Sequence, residues 1–150
     1  MPPKIRIIIG SKSDLDKITP AREILDRFDV SYDLHISSAH RNPENTIALA
    51  QNAKAEGIEI IIAGAGMAAH LPGIIAAHTT LPVIGIPFIS GALNGLDSLF
   101  SIVQMPSGVP VACMAINGAK NAALFAIQIL ALKDKELEKK FSDYKAGLKA

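Results

Sequence analysis

Several residue types that commonly build functional sites are scarce in this chain. Its 150 residues include no tryptophan, one cysteine, two tyrosines and five phenylalanines. So few aromatic side chains argue against a platform that stacks flavins or bases. The single cysteine, Cys113, lies in the apolar stretch 109–116 and cannot form a disulfide within the chain. We therefore assign it to core packing rather than to nucleophilic catalysis.

An excess of charge of either sign is also missing. Fifteen basic and fourteen acidic residues give a formal net charge of +1, and the densest group of charges, residues 133–140, mixes both signs. This balance gives no expectation of binding to nucleic acid or to a membrane surface. No apolar run reaches the roughly 18 residues of a membrane-spanning helix, and the first apolar run is too short for a signal peptide. The expected location is the cytoplasm.

Apolar residues, by contrast, are abundant. They make up 49% of the chain, and the mean hydropathy is +0.31. A chain of this length can form one domain with a full core, so residues 1–150 are expected to be a single domain. Because so small a domain cannot hide all of this apolar surface, we also expect burial between identical subunits.

The apolar residues follow two alternating patterns. Five short β-branched runs predict strands at residues 5–9, 32–36, 58–63, 83–86 and 111–116. Helical patterns separate them, at about residues 15–28, 43–57, 71–78, 96–104 and 121–132. This alternation is typical of an α/β fold, in which a parallel five-stranded sheet is covered by helices on both faces.

Local signals mark the ends of two of these helices. Ser13 or Asp14 is placed to cap the first helix. Pro20 falls inside that helix and removes one of its hydrogen bonds, which predicts a kink or a late start. Asn42 followed by Pro43 is a typical helix start.

A last helix is predicted at about residues 134–147. Its apolar positions form one stripe, which consists of Leu137, Phe141, Tyr144 and Leu148. A lone helix could not keep such a stripe in water. The helix must therefore dock on its own domain or on a neighbouring subunit, and we expect the neighbouring subunit.

Three polar loops each follow a predicted strand. Their sequences are Gly-Ser-Lys-Ser-Asp at 10–14, Ser-Ala-His-Arg at 38–41 and a stretch rich in glycine and alanine at 63–73. The carboxyl ends of parallel strands meet at one edge of a sheet, and ligands bind there where the strand order reverses. The three loops therefore predict one shared pocket.

Each loop has a functional and a structural interpretation. Residues 10–14 suit a phosphate, through hydroxyls and the amides of a helix N-terminus, or are simply a capped turn. His40 is a candidate acid or base and Arg41 a candidate anion ligand, although a loop histidine is more often solvated. The glycines of the third loop permit close backbone approach to a ligand. His70, taken alone, is better explained as a partner of backbone groups.

Other motifs are absent or incomplete. His35 and His78 belong to no metal-ligand motif, so no metal site is expected. The sequence contains neither the serine elbow of hydrolases nor a phosphate-binding Walker loop. Residues 64–69 match a loose dinucleotide-binding pattern, but the following strand offers no acidic residue for a ribose. A dehydrogenase is therefore disfavoured.

Four ordered motifs resemble one known family. They are Gly-Ser-Lys-Ser-Asp at 10–14, Ser-Ala-His-Arg at 38–41, Ala-Gly-Ala-Gly at 63–66 with Ala-Ala-His-Leu-Pro-Gly at 68–73, and Gly-Leu-Asp-Ser-Leu at 95–99 with Ser-Ile-Val-Gln-Met-Pro at 101–106. Together they resemble the N5-carboxyaminoimidazole ribonucleotide mutases, the PurE proteins of purine biosynthesis. The resemblance covers nearly the whole chain. It implies a flavodoxin-like three-layer α/β/α sandwich that assembles into a homo-octamer.

The resemblance also implies an isomerase that uses no cofactor and no metal. Its small-molecule substrate is a ribonucleotide, whose carboxylate moves from the exocyclic nitrogen to C4 of the imidazole by loss and recapture of CO2. His40 is implied as the catalytic residue that moves the proton. The implied substrate-binding residues are Ser11, Ser13 and Arg41 for the phosphate, Asp14 for the ribose, and Ser38, Ala39, Ala65, Gly66, His70 and Leu71 for the base and CO2.

One residue departs from the family pattern, and one related reaction is the alternative. Where the family loop usually has a third glycine, this chain has Met67, so we expect either ordinary backbone dihedrals there or a slightly different loop. A branch of the family carboxylates aminoimidazole ribonucleotide directly with CO2, but its third loop is expected to differ from residues 68–73. Two further alternatives share the fold. They are a flavodoxin-like electron carrier, which the few aromatics disfavour, and a receiver domain, which needs an aspartate where this chain has Ala63 and Gly64.

Overall fold

The computed structural model describes residues 1–149 as five strands and six helices that alternate along the chain. The strands are β1 (Ile5–Ile9), β2 (Tyr32–Ile36), β3 (Ile60–Gly66), β4 (Val83–Phe88) and β5 (Ala112–Cys113). The helices are α1 (Leu15–Arg27), α2 (Pro43–Asn52), α3 (Leu71–Ala77), α4 (Leu96–Val103), α5 (Ala119–Ala131) and α6 (Lys135–Gly147). Within the described residues, no helix is long and apolar enough to cross a membrane.

The strands form one parallel sheet in the order β2-β1-β3-β4-β5. The chain first moves outward from β1 to β2 and then crosses to β3 on the other side of β1. The strand order therefore reverses between β1 and β3, as in flavodoxin-like folds. This confirms the expected fold class and places the switch point beside the loops that follow these two strands.

Two apolar layers hold the helices to the sheet. On one face, alternate residues of β1 such as Ile5 and Ile7 pack with α1, α5 and Leu137 of α6. On the other face, Ile8 packs with residues of α2 and α3 and with Ile102 of α4. Because side chains of a strand alternate between its faces, a single isoleucine-rich strand supplies both layers.

A charged group lies within this apolar framework. Arg6 is almost fully buried on β1, and its guanidinium donates to Asp33 at 2.7 Å, to the carbonyl of Leu49 at 3.1 Å and to Glu56. Burial by itself would raise the pKa of Asp33, but hydrogen bonds from Arg6 and His35 outweigh it and the pKa is lowered. The pair is therefore ionised and satisfied inside the fold, as a buried charge must be.

The fifth strand is much shorter than expected. Only Ala112 and Cys113 pair with β4, whereas the sequence predicted a strand at 111–116. The chain continues beside β4, since the amides of Met114 and Asn117 donate to the carbonyls of Gly85 and Pro87. Pro87 has no amide to donate in return, so the ladder cannot continue regularly at that point.

The first helix also differs from its prediction. α1 runs without interruption from residue 15 to residue 27 with Pro20 inside it, so the predicted late start is wrong. Pro20 and Asp16, whose carbonyl loses its partner, are both exposed, and water can satisfy that carbonyl. Asp14 takes the N-cap position, but among residues 1–149 its side chain forms no capping hydrogen bond. The start of α2 is confirmed, because Asn42 Oδ1 accepts from the Asn45 amide at 3.3 Å.

The last helix packs on its own chain. Leu137 is buried in the core beside α5, and the rings of Phe141 and Tyr144 lie 6.3 and 5.6 Å from the ring of Phe28. Leu148, the fourth residue of the expected stripe, is exposed. Most of the stripe is thus covered within the subunit, and docking of this helix on a neighbouring subunit stays a prediction.

Candidate active site

The three polar loops meet in one cleft at the carboxyl edge of the sheet. It has a volume of about 380 Å³. The cleft is lined by all eleven residues that sequence analysis singled out, namely Ser11, Ser13, Asp14, Ser38, Ala39, His40, Arg41, Ala65, Gly66, His70 and Leu71. Gly10, Met67, Ala68 and Ser90 complete the lining. The cleft lies at the switch point between β1 and β3, where the fold predicts a ligand site.

Ser90 is the one lining residue that comes from outside the three loops. It follows β4, and an added Cβ on Gly66 would lie only 2.8 Å from the Cβ of Ser90. The glycine therefore allows the third and fourth loops to approach closely. The same argument about carboxyl strand ends could have identified Ser90, since it stands two residues beyond the end of β4.

Two histidines from different loops form a hydrogen bond at the cleft. His40 Nε2 and His70 Nδ1 are 2.8 Å apart, and the two rings are nearly perpendicular, at 87°. His70 directly precedes α3, and its own amide is already engaged by the carbonyl of Ala68 at 2.8 Å. Its ring thus bonds to another side chain, so the interpretation of His70 as a partner of backbone groups is wrong.

The loop that carries His40 is anchored at both ends. The Ser38 hydroxyl accepts from the amide of Arg41 at 3.1 Å, and the Ser38 carbonyl accepts from the amide of Asn42 at 2.9 Å. Beneath it, the buried hydroxyls of Ser37 and Thr46 lie 2.7 Å apart. These bonds tie the end of β2 to the start of α2 and hold His40 between them. Sequence analysis did not find Ser37 or Thr46, because their role depends on a tertiary contact.

The first loop presents hydroxyls at the N-terminus of α1. Ser11 Oγ accepts from the amide of Ser13 at 3.3 Å and from the Ser13 hydroxyl at 3.0 Å, and it caps a 3-10 turn over Lys12–Asp14. α1 follows directly and has thirteen residues. Hydroxyls and free amides at the start of such a helix are suited to an anion.

Asp14 is the buried acid of the cleft. It is 5% exposed, and burial raises the pKa of its carboxyl although Lys17, whose Nζ lies 3.6 Å away, opposes this. Lys17 is itself held by the carbonyl of Ile89 at 2.7 Å. A poorly solvated carboxylate gains from new hydrogen-bond donors, and the hydroxyls of a ligand can supply them.

Side chains that could ligate a metal are dispersed in the described part of the chain. In residues 1–149, no three or more histidine, cysteine, aspartate or glutamate side chains are close enough to hold an ion together. Cys113 is half-buried, and burial raises the pKa of its thiol. This favours the neutral thiol over the reactive thiolate.

Comparison with known proteins places this site in a family. A family model described as AIR carboxylase matches residues 4–150. The chain belongs to the AIR carboxylase family. Among its relatives, the N5-carboxyaminoimidazole ribonucleotide mutase of Saccharolobus solfataricus is 58% identical over 144 residues, which cover 94% of this chain and 91% of that protein.

Two further proteins are similar to this chain, one in sequence and one in structure. The phosphoribosylaminoimidazole carboxylase of Schizosaccharomyces pombe is 56% identical over 129 residues, which cover 86% of this chain but 23% of that protein. The crystal structure of Treponema denticola PurE superposes with a TM-score of 0.88 at 29% identity and covers 97% of this chain and 90% of that chain.

Met67, which stands where the family pattern has a glycine, has a backbone conformation that favours glycine. Its φ is +56°, in the left-handed region that disfavours side chains, so the expectation of ordinary dihedrals is wrong. The side chain is 58% exposed and lines the cleft. The loop thus carries an apolar side chain at a backbone position that favours glycine.

Proposed function

We propose that this protein is an N5-carboxyaminoimidazole ribonucleotide mutase of purine biosynthesis. It converts that nucleotide into 4-carboxy-5-aminoimidazole ribonucleotide and is therefore an isomerase. The observation that carries the proposal is the hydrogen-bonded pair of His40 and His70, which faces an anion-binding helix start across one cleft. The 58% identity to a relative of that name, over 91% of the relative, supports the same activity.

The cleft suggests how the nucleotide lies in it. The phosphate would bind at Ser11, Ser13 and the N-terminus of α1, with Arg41 as a cationic partner from the second loop. The ribose hydroxyls would donate to the carboxylate of Asp14, which is buried in the cleft. This arrangement directs the imidazole base toward the opposite wall of the cleft.

That wall consists mostly of small or apolar residues around the histidine pair. Beside His40 and His70 it contains Ser38, Ala39, Ala65, Gly66 and Leu71. Apolar and small side chains leave room for a planar base and for a molecule of CO2 beside it. Holding both in one place replaces a bimolecular encounter with an intramolecular one.

The reaction needs one proton to be given and one to be taken. Protonation of the exocyclic nitrogen accompanies cleavage of its bond to the carboxylate and release of CO2. C4 of the freed aminoimidazole then attacks the CO2 carbon, and the proton on C4 must leave. We assign both transfers to His40, because a histidine gives and takes protons near neutral pH.

His70 would act through His40. A hydrogen bond between two imidazole nitrogens needs one donor and one acceptor, so the 2.8 Å bond admits one proton between the rings. The bond fixes the orientation of the His40 ring. His70 is therefore proposed as a positioning residue that also borders the base.

The protein is further proposed to be a cytoplasmic homo-octamer. Support comes from α4, whose Leu96, Phe100 and Val103 recur at helical spacing and are about half or more exposed. Leu93, just before α4, is also exposed. Apolar residues grouped in this way are typical of an interface. The opposite face of α4 packs on the sheet through Ile102.

A two-substrate assay tests the proposed activity. The purified protein is incubated with the N5-carboxylated nucleotide, or with aminoimidazole ribonucleotide and bicarbonate, while absorbance of the C4-carboxylated product is followed. The mutase predicts much faster product formation in the first arm. Direct carboxylation with CO2 is the second candidate, favoured by the carboxylase name of the Schizosaccharomyces pombe relative, and it predicts the reverse. No product in either arm would refute both.

A further inference from the structure

Met67 is an unusual feature of the cleft that the proposed reaction does not yet use. Among the described residues that line the cleft, Leu71 and Met67 have large apolar side chains. Leu71 is buried in the core, whereas Met67 is 58% exposed. Met67 is therefore the large apolar group at the cleft that is free to move.

The backbone at Met67 is strained. Its φ of +56° lies in the left-handed region. Glycine adopts this conformation without an energetic penalty, whereas a methionine adopts it only at an energetic cost. Strain of this kind is typical of functional sites. A glycine would relieve it, so the presence of methionine calls for a contribution from the side chain.

The chemistry of the side chain suits closure over a ligand. Methionine is unbranched and flexible, and it fills irregular apolar gaps. Apart from Met67, the apolar side chains of the lining are alanines and the core-buried Leu71, which cannot fold over a bound base. Met67 starts beside Gly66 and Ala68, within the loop that leads to His70.

We propose that Met67 closes over the bound imidazole and retains CO2 between the two steps of the reaction. The proposal rests on the proposed function. The bond between nitrogen and carbon has then broken and the bond to C4 has not yet formed, so CO2 is neutral and unattached. An apolar side chain across the mouth of the cleft keeps CO2 in and water out. Met67 would thus set the fraction of substrate that becomes product rather than free aminoimidazole ribonucleotide.

The first test measures that fraction. With the N5-carboxylated nucleotide as substrate, Met67→Gly is expected to release severalfold more aminoimidazole ribonucleotide per product formed than the wild type, after subtraction of spontaneous decarboxylation. Met67→Leu restores apolar bulk and is expected to stay near the wild-type ratio. The matched control is Asn94→Gly. Asn94 also has a left-handed backbone, with φ of +55°, but it does not line the cleft, so this substitution removes a side chain from the same backbone conformation elsewhere. Its ratio is expected to equal that of the wild type.

Two results of this test would overturn the proposal. One is an unchanged ratio in Met67→Gly. The other is an equal rise in Met67→Leu, because apolar bulk would then not be what retains CO2. Failure of the proposed function has a different signature, since the wild type would then form no C4-carboxylated product.

The second test measures whether Met67 covers a bound nucleotide, and it does not depend on turnover. Dilute hydrogen peroxide oxidises exposed methionine to the sulfoxide, and mass spectrometry reports the extent at each position. The C4-carboxylated nucleotide is expected to slow oxidation of Met67 and to leave Met1, which is 96% exposed, unaffected. Equal oxidation of Met67 with and without bound nucleotide, with binding verified by calorimetry, would contradict closure.

Discussion

Two side chains of the cleft, His40 and Asp14, have different roles. His40 is held by His70 and by the anchored loop 38–41, so its position is defined before substrate arrives. Asp14 is buried at the other end of the cleft, where its charge is poorly solvated. The first residue is assigned to chemistry and the second to binding, and substitutions should separate these roles.

Replacing His40 tests the chemical role. His40→Asn is expected to keep the fold and the nucleotide affinity but to lower kcat by about 10²–10⁴-fold, the usual contribution of a general acid or base. Affinity is measured by calorimetry and kcat by product absorbance. His78→Asn is the matched control, because His78 bonds to the carbonyl of Ile74 on α3 and lies outside the cleft lining. Near-normal kcat in His40→Asn would remove His40 from the mechanism.

Replacing Asp14 tests the binding role through stability. Because the pKa of Asp14 is raised in the folded state, its contribution to stability is full below the unfolded pKa and is lost as pH rises through the folded pKa. Asp14→Asn should therefore raise Tm at pH 7, and the gain should shrink as pH falls toward about 4. The Michaelis constant should rise, since the ribose hydroxyls lose a charged acceptor with two oxygens and keep only the neutral amide oxygen.

Thermal unfolding across this pH range checks the Asp14 prediction. Asp16→Asn is the control, because Asp16 is an exposed acid in the first turn of the same helix. Asp16→Asn should not raise Tm at pH 7, since a negative charge near a helix N-terminus is favourable. A lower Tm for Asp14→Asn at pH 7 would show that the carboxylate is stabilised rather than strained by its surroundings.

At the scale of elements, the sequence predicted most of the fold and the lining of the cleft. β1 and β2 have the predicted bounds, because isoleucine-rich and alternating runs leave little choice of register. The short β5 was not predicted, since its length depends on Pro87 in the neighbouring strand. The hydrogen bond between His40 and His70 likewise depends on a tertiary contact and was not predicted. Thirty residues separate them, and only the folded loops bring their rings together.

The last helix gives a prediction at this scale. Tyr144 lies edge-on to Phe28 at 5.6 Å, so Tyr144→Ala should lower the Tm of the subunit. Burial of a large apolar side chain contributes about 1.5–3 kcal/mol when complete, and Tyr144 is only partly buried, so the loss should be at the low end. Leu148→Ala is the matched control on the same helix, because Leu148 is exposed.

Protein concentration distinguishes packing within the subunit from docking on a neighbour. Packing on Phe28 predicts the same loss of Tm for Tyr144→Ala at every concentration. Docking on a neighbouring subunit predicts that the loss grows as dilution dissociates the oligomer. A loss that appears only when the oligomer is present would restore the expectation of an intersubunit helix.

At the scale of the whole molecule, the apolar face of α4 is the basis for the proposed octamer. Phe100 is 60% exposed at the centre of this face. Phe100→Glu should convert the octamer to smaller species, measured by light scattering or sedimentation. Leu132→Glu is the control, because Leu132 is 84% exposed at the end of α5 and outside this face. An unchanged octamer in Phe100→Glu would locate the interface elsewhere.

An isotope label shows whether the carboxylate moves from nitrogen to C4 within one site. The substrate carries ¹³C in the carboxylate on its exocyclic nitrogen, the buffer contains unlabelled bicarbonate, and the product is analysed by mass spectrometry. Transfer within a closed cleft predicts that most of the C4-carboxylate formed in the first turnovers keeps the label. A product with mainly unlabelled carboxylate would show that CO2 comes from solution and would contradict the account.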